Sequence, residues 1–259
     1  EDMPRLAISL LGTLQVKLHD QPLPAFGTTK ARALLAYLVL EADRPLGRER
    51  LASLFWPDYR AARTNLRQAL YQLRRVLGDR ENDVPHLLIT DGEVQFNLAS
   101  DYWLDVAVFG SLLDETRPTN QDGSTLCSPC LNRLESAMAL YRGELLAGLT
   151  LPGCPQFEWW LLERQEQYHG RALEALGRLA DHYEQAREYE QAIKWARRAI
   201  ELDPWSQPAH RRLMRCLARS GYRRAALAHY DRLDQMLREE EGSPPSTRTS
   251  QLYQKIKAG

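Results

Sequence analysis

The sequence predicts a mainly α-helical chain of two domains. The first mixes short strands with three helices, and the second is built of helices alone. Three observations carry this reading. Apolar residues recur at helical spacing along most of the chain, whereas strand-like alternation is confined to its first part. An Asp91-Gly92 pair stands between two β-prone runs. A period of 34 residues runs through the C-terminal half.

Length and composition set the frame. A chain of 259 residues is too long for one small domain and fits two. A hydrophobic content of 44% is enough for a packed core in each. The 34 Lys and Arg residues equal the 34 Asp and Glu residues, so any positive surface is a local excess. No apolar run is long enough to span a bilayer and no secretory signal opens the chain, which predicts a cytoplasmic protein without a membrane partner. The opening Glu1-Asp2-Met3 is expected to be a cut end or a tag remnant, and the chain a piece of a longer protein.

The elements follow in order. Leu6-Ala7-Ile8-Ser9-Leu10 and Leu14-Gln15-Val16-Lys17-Leu18 alternate around Gly12 and read as a strand pair. A long apolar helix is expected from Thr29 to Glu41, with Ala31, Leu34, Leu35, Leu38 and Val39 on one side. A second covers Gly47 to Trp56. Pro57 and Asp58 end it, because proline removes a helix hydrogen bond, and Asp58 is the expected N-cap of the next helix. That third helix spans Tyr59 to Gly78. Leu66, Leu70, Leu73 and Leu77 make its apolar seam. Leu87 to Thr90 and Val94 to Leu98 flank Asp91-Gly92 as a hairpin. Strands, three helices and a following hairpin make an N-terminal winged helix (α+β) over residues 1–110.

The third helix is the chemically distinctive segment. Residues 59–78 hold five arginines and no acidic residue. Opposite the leucine seam stand Arg60, Thr64, Arg67, Gln68, Tyr71, Arg74 and Arg75. Arginine forks onto a guanine edge, Asn or Gln onto adenine, and further cations hold phosphates. A helix of this kind suits a DNA major groove, and the helix-turn-helix order before it places it there. Candidate double-stranded DNA contacts are therefore Arg60, Arg63, Thr64, Asn65, Arg67, Gln68, Tyr71, Arg74 and Arg75. Thr28, Thr29 and Lys30 are candidates for a phosphate clamp at the start of the first long helix. A plain N-cap role for Thr28 or Thr29 is the competing reading. The wing turn, Asp91-Gly92-Glu93, is acidic and unsuited to a minor groove.

Residues 114–125 lack periodicity and mark a linker. Helices are then expected at Leu131–Leu146, Phe157–Arg187, Tyr189–Leu202, Gln207–Ser220 and Tyr222–Glu240. Leu179 and Leu213, Ala180 and Met214, Tyr183 and Leu217, Ala192 and Ala226, and Ala196 and Tyr230 are each 34 residues apart. That spacing predicts an all-α tetratricopeptide-like solenoid of about three helix pairs over residues 111–259. Trp159, Trp160, Trp195 and Trp205 are expected in its core, and His210 and His229 packed on its helices.

Cys127-Ser128-Pro129-Cys130 is a CxxC knuckle, with Cys154 a third thiol. Zinc, a redox pair and unliganded thiols are all open, the last favoured. His169 or Asp122 would have to complete a zinc shell, and neither is well spaced. No metal or other cofactor is expected. Gly-x-x-x-x-Gly-Lys-Ser/Thr, Gly-x-Ser-x-Gly and His-Glu-x-x-His are all missing from the sequence, which predicts a protein that is not an enzyme.

Several stretches resemble a known family. They are Lys30 to Leu38, Leu51-Ala52-Ser53-Leu54-Phe55-Trp56-Pro57-Asp58, and Asn65 to Gly78. This half looks like the DNA-binding part of the Streptomyces antibiotic regulatory protein family, itself similar to the winged helix of response regulators. Tyr141 to Gly148, Phe157-Glu158-Trp159-Trp160, Leu202-Asp203-Pro204-Trp205 and His210 to Met214 resemble the bacterial transcriptional activator domain that follows it in that family. The resemblance implies a sequence-specific transcriptional regulator, an activator on direct-repeat half-sites. It also implies contact with RNA polymerase and self-association through the helical domain. Larger members carry a signal-transduction ATPase after these two domains. Two other classes stay open: an interaction or sensory solenoid of a larger signalling protein without DNA binding of its own, and a thiol-based sensor.

Overall fold

The computed structural model describes residues 6–23, 27–57, 60–80, 83–116, 126–240 and 242–259. Its packing forms two compact units, Glu1–Val108 with Tyr141–Tyr168, and Phe109–Leu140 with His169–Gly259. In this packing residues 141–168 cluster with the N-terminal unit. The fold class is as the sequence predicts: a small sheet and winged helix, then helices.

The first unit opens on β1 (Leu6–Ser9), β2 (Gln15–Leu18) and β3 (Gln21–Pro22). β1 pairs antiparallel with β2, Leu6 opposite Leu18 and Ile8 opposite Val16. Leu6, Ile8 and Val16 are buried, so the alternation in sequence is the core face of the sheet. β3 was not anticipated. It returns through His19 and Asp20, whose φ angles of 50° and 59° make a two-residue hairpin turn.

Three helices follow: α1 (Thr29–Leu40), α2 (Arg48–Phe55) and α3 (Ala62–Val76). α1 is buried nearly all round. α3 starts later than expected. Ala61 is its N-cap and makes no side-chain cap bond; Asp58 and Tyr59 lie outside the described residues. α3 ends in a glycine stop. Gly78 has φ 69°, its N–H donates to Arg75 O, and the Asp79 N–H donates to Arg74 O at 3.0 Å.

β4 (Leu46–Gly47), β5 (Leu87–Ile89) and β6 (Glu93–Phe96) form the wing sheet in the order β4-β6-β5. The buried Asp79 carboxylate accepts from the His86 and Leu87 N–H groups at 2.8 and 2.9 Å. One residue after the glycine stop thus pins the hairpin to the end of α3. β7 (Tyr102–Leu104) returns beside β1 in parallel, and α4 (Asp105–Asp114) follows.

Helix α5 (Ser128–Leu140) stops short of the expected Leu146. Beyond it the backbone pairs with the β1–β2 loop instead. The Gly12 N–H donates to Glu144 O at 3.0 Å, and the Leu146 N–H to Leu10 O at 2.8 Å. The Asp105 carboxylate anchors the same corner, accepting from the Leu10 and Leu11 N–H groups and from Arg142. Burial raises the Asp105 pKa, against the pull of those donors.

α6 (Pro155–Gln185) contributes its first part to this unit and the rest to the second. Phe157 and Trp160 pack with Tyr37 and Phe55. Trp160 also donates to Glu41 at 2.9 Å. Burial opposes charge on Glu41, but the hydrogen bonds from Trp160 and Arg164 outweigh it and hold the carboxyl below its usual range.

The second unit continues with α7 (Tyr189–Leu202), α8 (Gln207–Arg219), α9 (Arg223–Glu240) and α10 (Thr247–Ala258). The repeat is visible in the core: Leu179 and Leu213, Ala180 and Met214, and Ala192 and Ala226 are all buried. It extends to the turns. Arg187 and Gly221 occupy equivalent left-handed positions with φ 63° and 89°. The Glu188 N–H donates to Tyr183 O at 2.9 Å, and the Tyr222 N–H to Leu217 O at 2.8 Å, the same bond one repeat later. Arg212 and Arg215 on α8 reach Asp181 and Glu184 on α6.

His210 is buried as expected. Its Nε2 donates to the Pro204 carbonyl at 2.8 Å, which leaves Nδ1 to accept from His229 Nε2 at 2.8 Å. The tryptophans depart from expectation. Trp195 is buried in this unit, but Trp159 and Trp205 are 72% and 39% exposed, and Trp160 serves the first unit. Trp159 and Trp160 are adjacent on a helix, so they face about 100° apart and only one can turn inward.

Candidate nucleic-acid interface

α3 divides cleanly into two faces. Leu66, Ala69, Leu70 and Leu73 are buried, continued by Leu77 beyond the helix. Arg63, Thr64, Arg67, Gln68, Tyr71, Gln72 and Arg75 are exposed, and the helix has no acidic residue. Its last turn carries Arg74 and Arg75.

Two furrows run along the exposed face. The first, about 440 Å³, is lined by Thr28, Thr29, Lys30, Trp56, Asn65, Gln68, Ala69 and Gln72. The second, about 630 Å³, is lined by Gly27, Arg67, Gln68, Tyr71, Gln72, Arg75 and Val76. Gln68 and Gln72 border both. The tertiary fold therefore joins the start of α1 to the middle of α3, two segments far apart in sequence.

The cations differ in what they are already doing. Arg67 and Arg75 make no ion pair or hydrogen bond among the described residues. Arg63 pairs with Glu49 at 2.8 Å, but both side chains are more than 70% exposed, so the pair is easily exchanged for a phosphate. Arg60 is exposed in the turn before α3. Arg74 is half-buried, and its Nε is enclosed without a hydrogen-bond partner. Its half-buried position is poor for the DNA contact expected of it.

Lys30 also differs from expectation. Its ammonium donates to the Phe55 carbonyl at 2.6 Å and lies over the Trp56 ring. Phe55 ends α2, so Lys30 closes an orphan carbonyl there. Thr28 is the N-cap of α1, its hydroxyl accepting from the Ala31 N–H at 3.2 Å. Thr29 is exposed beside it, and the first turn of α1 has no acidic residue.

Three contributors were not singled out from sequence. Gln72 lies one turn beyond Gln68, a spacing that would have found it. The Arg80 guanidinium stacks over the exposed Tyr71 ring, 4.6 Å from its centroid, from beyond the helix end where no periodicity reaches. Arg48 binds the wing twice, its N–H donating to Gly92 O at 2.9 Å and its guanidinium to Thr90 O at 3.1 Å.

Among the described residues no three His, Cys, Asp or Glu side chains are grouped to hold a metal ion, and Asp122 lies outside those residues. Cys154 is buried and its Sγ donates to the Phe55 carbonyl at 3.3 Å. Cys127 and Cys130 are not the free thiols favoured from sequence but are joined by a disulfide. The start of α5 brings their Cα atoms to 5.1 Å, a bridgeable distance.

A winged helix with an acid-free arginine face, followed by a helical repeat unit, defines a DNA-binding transcriptional regulator. The comparisons agree. The chain matches the bacterial transcriptional activator domain over residues 104–257 and the C-terminal domain of transcriptional regulatory proteins over residues 24–93. The first match spans more than half of the chain, and the chain belongs to the bacterial transcriptional activator domain family.

Among curated proteins it is similar to transcriptional regulatory protein MoaR1 of Mycobacterium tuberculosis, 27% identical over 256 residues, 96% of this chain and 78% of that protein. It is also similar to transcriptional regulatory protein EmbR of the same organism, 28% identical over 148 residues, 56% of this chain and 37% of EmbR. Among solved structures, EmbR of Mycobacterium tuberculosis in complex with a low-affinity phosphopeptide shares the fold. It has a TM-score of 0.76 and 21% identity, covering 99% of this chain. This chain spans 66% of that one.

Proposed function

We propose that α3 lies in the major groove of double-stranded DNA, with Thr64, Arg67, Gln68, Tyr71 and Gln72 toward the base edges. Arg60, Arg63 and Arg75 hold phosphates on either side. Asn65 and Thr29 face the backbone at the mouth of the first furrow, where the N-terminal N–H groups of α1 favour an anion. Thr28 shapes that mouth as the N-cap. Lys30 supports it by fixing the end of α2, and Arg74 by packing.

The observation that carries this reading is the pair of arginines, Arg67 and Arg75, that have no ion pair or hydrogen bond among the described residues. They flank Gln68 and Tyr71 on a helix whose other face is fully committed to the core. A cation held in place with no use for its charge inside the protein is available to phosphate or a base edge.

The protein acts in the cytoplasm as an activator without catalytic chemistry of its own. Two copies occupy direct-repeat half-sites on one face of the duplex, about 10–11 base pairs apart. The helical unit supports self-association and contact with RNA polymerase. Selection of binding sites from random duplexes, followed by footprinting upstream of the native operon, tests this. An enriched direct repeat that the Arg67→Ala/Gln68→Ala/Gln72→Ala variant fails to protect is the expected result. Failure to enrich any sequence would leave the helical unit as an interaction module and α3 as solvated surface.

A further inference from the structure

The disulfide between Cys127 and Cys130 lies at the N-terminus of α5. It is a poor structural staple. A cross-link stabilises mainly by restricting the unfolded chain, and the restriction shrinks with the enclosed loop. Here the cysteines are only 3 residues apart, and the first turn of α5 already holds them together. Nor is the bond buried. Cys127 is exposed and Cys130 half-buried, while the free Cys154 and Cys216 are both buried. Proteins that work on DNA meet thiol buffers that keep exposed cysteines reduced, and the disulfides found there are transient ones.

The local geometry favours negative charge on one sulfur. The Cys127 carbonyl accepts from the Leu131 N–H at 2.9 Å, so Cys127 stands at the helix entrance. The Cys130 N–H donates to Cys127 Sγ at 3.2 Å. The free N–H groups and the dipole of a helix start stabilise a thiolate placed there. The first turn of α5 has no acidic residue to oppose it.

We propose that Cys127–Cys130 is a reversible thiol–disulfide exchange site whose reaction partner is a dithiol. A partner thiolate attacks the exposed Cys127 Sγ. The Cys127–Cys130 bond breaks, and its electron pair leaves on the Cys130 sulfur, which takes a proton from water. The partner's second thiolate then attacks its own sulfur in the mixed disulfide. Cys127 leaves as a thiolate held by the Cys130 N–H. Two electrons have passed to the protein, and the dithiol has become a disulfide. Reoxidation by a disulfide partner reverses both steps. Only the compartment argument rests on the DNA-binding reading. The test below reads thiols, so the two ideas fail separately.

The full chain, purified with its disulfide intact, is treated with dithiothreitol without denaturant, alkylated and mapped by mass spectrometry. Cys127 and Cys130 are expected to become labelled while Cys154 and Cys216 stay unlabelled and the circular dichroism is unchanged. With oxidised glutathione as probe, the Cys130→Ser variant should form a mixed disulfide at Cys127 about tenfold faster than Cys127→Ser does at Cys130, since exposure and thiolate character set the rate. A disulfide that yields only on unfolding would overturn the proposal. So would equal rates for the two variants, or stoichiometric zinc in the reduced protein.

Discussion

Replacing Arg67 with alanine separates base reading from mere charge. Arg67 is exposed and has no ion pair or hydrogen bond among the described residues, so its loss removes no bond seen there. The change in folding stability should stay within about 0.5 kcal/mol, as for other surface sites. If the guanidinium forks onto a guanine edge, the preferred duplex loses roughly 1–3 kcal/mol of binding, about 5- to 150-fold in Kd. That loss should be concentrated at one base position, where the variant no longer discriminates.

Arg75→Ala is the internal comparison. Removing one phosphate contact should weaken all duplexes alike and lower the slope of log K against log salt by about one unit. Fluorescence anisotropy on the selected duplex and its single-base variants, at four or so salt concentrations, reads both effects, with a thermal melt as control. An Arg67→Ala protein that binds the whole panel like the parent would refute the assignment of α3 as the reading helix.

Other perturbations test the supports. Asp79→Ala strands the His86 and Leu87 N–H groups and should cost about 1–3 kcal/mol, seen as faster amide exchange in β5. Lys30→Met should lower the melting temperature without DNA present, because the Phe55 carbonyl loses a donor; an unchanged melt would return Lys30 to a purely DNA-facing role. Arg187→Gly should stabilise the second unit by about 0.5–1 kcal/mol by relieving a left-handed residue, and Gly221→Ala should do the reverse at the equivalent turn. Burial lowers the His229 pKa from 6.5 to about 4, helped by the neighbouring charges of His210, Arg232 and Arg197; burial also lowers that of His210. The folded state therefore binds fewer protons. This contribution is complete above pH 6.5 and is lost as pH falls toward 4, so His229→Gln should flatten the melting temperature across that window.

Local rules made much of this legible. The leucine seam of α3, the Asp-Gly hairpin and the paired residues of the repeat each follow from spacing along one element. What escaped depends on partners distant in sequence. Tyr141 to Leu146 continue a helical apolar rhythm, yet Leu10 and Gly12 offer their backbone groups and win. The His19-Asp20 turn lacks the glycine that usually announces such a hairpin, so β3 gave no signal. Lys30 looked like a free cation because the Phe55 carbonyl that holds it comes 25 residues later. Arg74 looked equal to Arg75, but neighbouring positions on a helix point in different directions, and only one faces out.

The disjoint faces of α3 bear on how such regulators diversify. Everything that fixes the helix in the protein lies on its inner side or beyond its end: the leucine seam, the glycine stop at Gly78 and the Asp79 tether to the wing. Positions 64, 67, 68 and 72 do none of this, and Tyr71 only carries the Arg80 guanidinium. They can be exchanged without disturbing the scaffold, so, with α3 reading DNA as proposed, duplicated copies are free to drift onto new promoters while keeping their architecture. The same separation makes the domain a candidate for retargeting, in which those five positions are randomised together and selected against a chosen operator.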